Sequence, residues 1–85
     1  MVRRKIIIAH KAGFHVRPAG IVAKAAESCS SRVEILYKNS IINAKSLLNI
    51  LSASIRQGAE IELCCEGPEE QADLDKMTYV IEHLS

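Results

Sequence analysis

The sequence predicts an α+β fold, an open-faced β-sandwich in which a four-stranded antiparallel sheet is covered on one face by three helices. Three observations favour it: the candidate elements follow the order βαββαβα, the candidate strands are half apolar and half polar, and the helices carry apolar stripes. Eighty-five residues suffice for one domain, and we expect residues 1–85 to form it.

Four segments have the β-branched content of strands, at residues 2–9, 32–37, 41–44 and 59–66. The turn residues between the second and third segments predict a hairpin. In the second segment, Val33, Ile35 and Tyr37 share one side. The fourth segment alternates cleanly, which predicts a strand with one face in water. Its inward residues are expected to be Ile61, Leu63 and Cys65, and its outward residues Glu60, Glu62, Cys64 and Glu66.

Three segments are predicted to be helical, at residues 18–28, 46–54 and 67–84. The first has Pro18 in its first turn, where a missing N–H costs nothing. The third opens with Gly67, Pro68 and acidic residues, which suit a helix N-terminus. The apolar stripes consist of Ala19, Val22, Ala23 and Ala26 in the first helix and of Leu74, Met77, Ile81 and Leu84 in the third.

Composition excludes several classes of protein. Apolar residues make up 48% of the chain, which argues against disorder. No run reaches the roughly 18 apolar residues of a membrane span, and the N-terminal apolar stretch is too short for a secretory signal, so we expect a cytoplasmic protein. The cysteines Cys29, Cys64 and Cys65 are odd in number and expected to be reduced, and their spacing with the histidines matches no metal site.

Charge is segregated along the chain. Residues 1–58 contain ten Lys or Arg and two Glu, for a net charge of +8, whereas residues 59–85 contain one Lys and eight Asp or Glu, for a net charge of −7. A basic surface of this kind would suit a phosphate group or an acidic partner. The alternative is that the charges interleave in space despite their separation in sequence.

The segment AGFHVRPAG, residues 12–20, places His15 directly before a predicted helix start. The leading N–H groups of a helix bind anions, and Arg17 adds a cation suited to phosphate oxygens. Both favour a neutral imidazole, which can attack phosphorus, and both stabilise the phosphoryl group afterwards. The residues therefore point to a phosphoacceptor at His15, although spacing alone leaves a capping or surface histidine as the alternative. His10 and His83 lack this setting and are assigned no role.

The segment GFHVRPA resembles the active-site signature of the histidine-containing phosphocarrier protein (HPr) family of the bacterial phosphoenolpyruvate:sugar phosphotransferase system, Gly-[Leu/Ile]-His-[Ala/Thr/Ser]-Arg-Pro-Ala. A second segment, NAKSLLNILS at residues 43–52, is similar to the regulatory-serine region of that family, at the same distance from the histidine. The resemblance covers essentially the whole chain, and two correctly spaced motifs make it specific.

The resemblance implies a phosphoryl carrier, not an enzyme, with no cofactor of its own. It implies that His15 accepts a phosphoryl group on Nδ1 from phosphorylated Enzyme I, itself charged by phosphoenolpyruvate, and passes it to a histidine of sugar-specific IIA proteins, with Arg17 supporting the phosphohistidine. It also implies phosphorylation of Ser46 by an HPr kinase/phosphorylase in bacteria that have one. We expect a monomer with no direct contact to nucleic acid and no insertion into a membrane.

The chain departs from the family pattern at three positions. Ala12 replaces a residue that is often Thr, Asn or Ser, Val16 replaces a usual Ala, Thr or Ser, and Ser54 replaces a common glycine. If position 54 has a left-handed backbone, its serine strains the loop that faces the site. These changes bear on the efficiency of transfer and on the fit to partners.

The helix that follows Ser46 is apolar on too many sides to be buried completely. The Ser46 hydroxyl is expected to accept a hydrogen bond from its first turn. Ile50 is expected to be buried. The remaining apolar residues, Leu47, Leu48 and Leu51, are expected to form a docking patch. Its expected basic rim consists of Arg17, Lys24, Lys45 and Arg56.

Two other functions compete with the phosphocarrier. One is a regulatory module that uses phosphorylated Ser46 to engage a catabolite-control transcription regulator, and the presence of His15 favours the carrier over it. The other is a nucleic-acid-binding α+β domain that uses Arg3, Arg4 and Lys5. The acidic last strand and the absence of exposed aromatic residues on the predicted sheet count against that domain.

Overall fold

A computed structural model describes residues 1–84 of the chain. The elements are β1 (Val2–Ile7), α1 (Val16–Glu27), β2 (Arg32–Tyr37), β3 (Ser40–Asn43), α2 (Leu47–Ser52), β4 (Glu60–Glu66) and α3 (Glu70–Glu82). The strands form one antiparallel sheet in the order β1-β4-β2-β3. The predicted fold class and element order are confirmed. None of the helices within the described range combines the length and apolarity needed to cross a bilayer.

All three helices begin at residues other than those predicted, and α2 begins at Leu47, one residue after Ser46. Helix α1 begins at Val16, two residues before Pro18, because the carbonyl oxygen of His15 already accepts the N–H of Ala19 at 2.8 Å. Helix α3 begins at Glu70 and not at Gly67. A turn precedes it, in which the Glu70 carboxylate accepts the N–H of Gly67 and the Gly67 carbonyl oxygen accepts the N–H of Glu70, both at 3.2 Å.

The core lies between one face of the sheet and the three helices. The predicted stripe of α1 is buried, Ile50 of α2 is completely buried, and α3 buries Leu74, Met77 and Ile81, with Leu84 packed against them. The inward residues of the strands complete the core: Ile6, Val33, Ile35, Ile42, Ile61, Leu63 and Cys65. This arrangement fixes α1 and α2 side by side on the sheet.

Cys64 is buried, although the alternation of β4 predicted that it would face water. Only 4% of Cys64 is exposed. It lies in a central strand, opposite Arg3 of β1 and Glu34 of β2, whose long side chains cover the smaller thiol from both neighbouring strands. Desolvation raises the pKa of the Cys64 thiol. All three cysteines are free and buried, and burial also raises the pKa of Cys65, to about 11.

Ion pairs connect the basic part of the chain to the acidic part. Within residues 1–84 the pairs that do so are Arg3–Glu62 (3.7 Å), Arg4–Asp75 (3.1 Å), Arg32–Glu66 and the N-terminal amine with Glu70 (3.2 Å). The charges that are segregated in sequence therefore interleave at the sheet. Lys11 and Arg56 form no ion pair with another residue of the described range, so positive charge is left over near the start of α1.

Asp73 of α3 ties that helix to the loop before β2. The side chain is 8% exposed and accepts the backbone N–H of Ser31 at 3.1 Å. Hydrogen bonding from Ser31 lowers the pKa of Asp73, because it stabilises the carboxylate against the cost of burial. The carboxylate is therefore part of the packing between the helix layer and the sheet.

Candidate functional site

His15 occupies the N-cap position of α1. Its backbone is extended, with φ −73° and ψ −176°, and its side chain makes no capping hydrogen bond. The residue is exposed. The imidazole therefore stands at the surface beside a first turn whose leading N–H groups have no partner within the helix.

The loop that carries His15 is held against the segment that follows α2. Phe14 is 3% exposed, and its N–H donates to the carbonyl oxygen of Ile55 at 2.9 Å. Gly13 has φ +60°, and a Cβ added to it would lie 2.6 Å from the Ile55 oxygen and 2.7 Å from the Cα of Arg56. Only glycine allows the two backbones to approach this closely.

His15 lines a cleft of about 540 Å³ between these two segments. Three basic residues, Lys11, His15 and Arg56, lie among the described residues that form it, and no Asp or Glu does. The other lining residues are Ala12, Phe14, Val16, Leu51, Ser54, Ile55 and Gln57. The cleft is therefore a positively charged recess beside an imidazole, which suits an anion.

Arg17 lies in the first turn of α1, two residues after His15, and is exposed. It is not among the residues that line the cleft, whereas Arg56 is. From the sequence, Arg56 was expected only on the rim of the docking patch. No local signal places it beside His15, because its position depends on how the segment after α2 packs against Gly13.

Ser46 is the N-cap of α2, as expected. Its hydroxyl oxygen accepts the N–H of Asn49 at 3.1 Å, and its carbonyl oxygen accepts the N–H of Ile50, also at 3.1 Å. The side chain of Asn49 in turn accepts the N–H of Asn43 at 2.7 Å. The serine thus begins the helix and joins it to the end of β3.

The leucines of α2 have the exposure expected of a patch. Leu48 is 77% exposed and Leu47 is 38% exposed, whereas Leu51 is partly buried and lines the His15 cleft. Leu47 shares a second depression, of about 340 Å³, with Lys24 and Lys45. The structure thus brings the predicted patch into contact with the cleft through Leu51, and with α1 through Leu47.

Two apolar residues of α1 lie exposed near these groups and were missed by the sequence analysis. Val16 is 68% exposed and lines the cleft, and Ile21 is 43% exposed. The amphipathic pattern of α1 gives the sequence signal for Ile21, which lies outside the stripe of small buried residues. Val16 carries no such signal, because its exposure follows from the start of the helix at that residue.

Ser54 has the left-handed backbone that the sequence analysis considered, with φ +54°. It lies in the wall of the His15 cleft. A side chain in this region costs about 1–2 kcal/mol, because its Cβ crowds the following carbonyl oxygen. The segment that faces His15 is therefore held in a strained conformation.

An open-faced sandwich with an exposed histidine at the N-terminus of its first helix defines the class of small phosphoryl-carrier proteins. The chain belongs to the HPr family of the phosphotransferase system, since the family model described as "PTS HPr component phosphorylation site" matches residues 2–83. Within the described residues, no group of three or more His, Cys, Asp or Glu side chains is placed to hold a metal ion.

Relatives of known identity agree over nearly the full length of the chain. The phosphocarrier protein HPr of Treponema pallidum is 30% identical over 83 residues, which cover 98% of this chain and 94% of that protein. The crystal structure of HPr-C-His from Thermoanaerobacter tengcongensis superposes with a TM-score of 0.92 at 33% identity, covering 96% of this chain and 92% of the other. The crystal structure of the Bacillus subtilis catabolite-repression protein Crh, a swapped dimer, superposes with a TM-score of 0.78 at 28% identity, covering 100% of this chain and 98% of that one.

Proposed function

We propose that the protein is a cytoplasmic phosphocarrier that accepts a phosphoryl group on His15 from phosphorylated Enzyme I and passes it to sugar-specific IIA proteins. The observation that carries the proposal is the exposed His15 imidazole at the N-cap of α1, in the wall of a cleft whose described lining includes Lys11 and Arg56 but no Asp or Glu. Membership of the HPr family supports it.

The chemistry uses one ring nitrogen and fixed positive charge. The lone pair of Nδ1 attacks phosphorus, the new N–P bond forms, and the bond from phosphorus to the donor breaks and leaves its electron pair on the donor. The first-turn N–H groups, Arg17 and Arg56 then stabilise the phosphoryl oxygens. Each such contact contributes on the order of 0.3–2 kcal/mol, which holds the group without preventing its onward transfer.

Docking is assigned to the patch formed by Leu47, Leu48 and Leu51 together with Lys24. Exposed apolar residues surrounded by cations fit a partner with an apolar centre and an acidic rim. Leu51 reaches both the patch and the His15 cleft, so a partner seated on α2 would cover the phosphoryl group as well. One chain supplies the whole surface, and we propose that the carrier works as a monomer.

Ser46 is proposed as a regulatory phosphorylation site for an HPr kinase/phosphorylase. A phosphate at this N-cap would favour α2 and would place negative charge beside the docking patch.

The second candidate function is the regulatory module, in which phosphorylated Ser46 engages a catabolite-control transcription regulator. The structural likeness to the catabolite-repression protein Crh supports this second candidate function. The nucleic-acid-binding alternative is disfavoured, because Arg3 and Arg4 are paired with carboxylates.

Phosphorylation with purified components tests the proposal. Incubation with phosphoenolpyruvate, Mg²⁺ and Enzyme I is expected to give an acid-labile phosphate that His15→Ala abolishes and His83→Ala retains. Absence of this phosphate from the unmodified protein would reject the carrier function. An acid-stable phosphate on Ser46 that requires ATP and the kinase would support the regulatory module.

A further inference from the structure

His10 is bonded into the turn that leads to His15. Its ring nitrogen Nδ1 accepts the backbone N–H of Ala12 at 3.1 Å, and its carbonyl oxygen accepts the N–H of Gly13 at 2.9 Å. A single residue therefore receives two successive N–H groups of the turn, one on its side chain and one on its backbone. This is the hydrogen-bonding pattern that Asp and Asn side chains give to turns.

Among the described residues, the other hydrogen bonds given for this turn lie at its two ends. The Gln57 side chain donates to the carbonyl oxygen of Ala9 at 3.2 Å, and Phe14 is bonded to Ile55. Between these points the exposed residues Lys11 and Ala12 form part of the wall of the His15 cleft. The His10 ring holds this middle part, because Ala12 itself has no polar side chain.

We propose that His10 is a positioning residue for phosphoryl transfer, whose neutral ring holds the Lys11–Ala12 wall of the His15 cleft in place. The inference rests on the proposed carrier function. Nδ1 accepts a hydrogen bond only when it is unprotonated, so the bonded form of His10 carries its proton on Nε2. A proton on Nδ1 would face the N–H of Ala12, so that two donors would meet without an acceptor and the hydrogen bond that holds the turn would be lost.

Few charged groups surround this turn. Lys11 lies on the turn itself, and Arg56 lies on the packed segment after α2 and shares the cleft with it. Glu60 is paired in register with Ile7, three residues before His10. Gln57, which donates to Ala9, is uncharged. The hydrogen bond to Ala12 is thus the specific contact by which the His10 ring acts on the wall of the cleft.

Two variants separate positioning from mere loss of a histidine. His10→Ala removes the acceptor, whereas His10→Asn offers a carbonyl oxygen to the same N–H. For His10→Ala we expect phosphoryl transfer from Enzyme I, and protection of the Ala12 amide from hydrogen exchange, each to fall about 2- to 10-fold. His10→Asn is expected to restore both. His83→Ala, which removes an exposed histidine from the end of α3, serves as the control and is expected to change neither.

Wild-type transfer rates in His10→Ala, or an unchanged Ala12 exchange rate, would overturn the positioning role while leaving the carrier intact. Failure of the unmodified protein to accept phosphate would overturn both.

Discussion

Ser54 shows how one residue can store strain at a functional site. It is one of two described non-glycine residues with positive φ, the other being Lys38 in the turn between β2 and β3. The β2–β3 turn is distant in sequence from His15, whereas Ser54 lies in the cleft wall. The strain at Ser54 is therefore the one that bears on the site.

Replacing this serine by glycine is expected to stabilise the protein. Ser54→Gly removes a strain of about 1–2 kcal/mol from the folded state. The extra backbone freedom of glycine favours the unfolded chain by about 0.4–1 kcal/mol and offsets part of this, so the net gain in stability is about 0.5–1 kcal/mol. Urea unfolding measures it. The matched change Ser52→Gly, within α2, is expected to cost about 0.5 kcal/mol, because glycine is a poorer helix former than serine. Equal losses in the two variants would show that φ at position 54 carries no strain.

At this scale the sequence predicted the positions of the histidine before α1, the cap of α2 and most of the core, but missed residues whose contacts depend on how a turn or a neighbouring strand folds. His15 and Ser46 could be placed because each precedes a recognisable helix start. His10 could not, because its acceptor role exists only once the turn brings the N–H of Ala12 to Nδ1. Cys64 was placed wrongly, because alternation describes one strand and not the side chains that reach over it from two others.

Helix α2 has six residues, which is too short for stability in isolation. Two features maintain it, the Ser46 cap at its start and the complete burial of Ile50. Both were anticipated from the sequence, since capping residues and apolar spacing are local signals. The order of the strands was not, because the pattern of each strand fixes its inward face without fixing its neighbours.

The cap makes α2 sensitive to the chemistry of position 46. Ser46→Ala is expected to cost about 1 kcal/mol of stability, because the N–H of Asn49 loses its acceptor. Ser46→Asp is expected to hold or raise stability, since a carboxylate accepts the same N–H and is favoured at a helix N-terminus, while Enzyme I transfer falls.

Thermal melting with a transfer assay checks this pair of variants. Ser52→Ala, in the last turn of the same helix, is the control and is expected to change stability by less than about 0.5 kcal/mol. A clear loss of stability in Ser46→Asp alongside lost transfer would mean that negative charge acts by unfolding α2 and not by repelling the acidic rim of the partner.

Across the whole molecule, ion pairs neutralise three arginines, whereas Lys11 and Arg56 at the His15 cleft form none within the described residues. The pairs between the N-terminal and C-terminal parts of the chain neutralise Arg3, Arg4 and Arg32, and leave the cations at the cleft to act on an anion. Surface pairs of this kind contribute little to stability, about 0–1 kcal/mol each. These ion pairs instead determine which parts of the surface keep a positive potential.

Stability is expected to depend on Asp73 in acid. Its folded-state pKa lies below the ordinary value of 3.8, so the unfolded chain takes up the proton first as the pH falls. The stability that the Asp73 carboxylate contributes is complete above about pH 5, and it is lost as the pH falls through 3.8 to the lower pKa of the folded state. Asp73→Asn is expected to cost about 1–2 kcal/mol at neutral pH and progressively less in acid.

Urea unfolding between neutral pH and strong acid measures this dependence. Asp75→Asn is the control, because Asp75 is exposed and pairs with Arg4 at the surface. It is expected to cost less than about 1 kcal/mol. A loss for Asp73→Asn that stays constant over the whole pH range would show that the carboxylate acts only as a neutral packing group.

The close approach of Gly13 to the Ile55–Arg56 backbone joins the histidine loop to the segment behind α2 as one mechanical unit. No side chain intervenes that could absorb a shift, so displacing one segment displaces the other. A chimera that grafts only one of these segments from another family member would therefore misalign the loop that carries His15 against the cleft wall, whereas grafting both together would preserve their alignment.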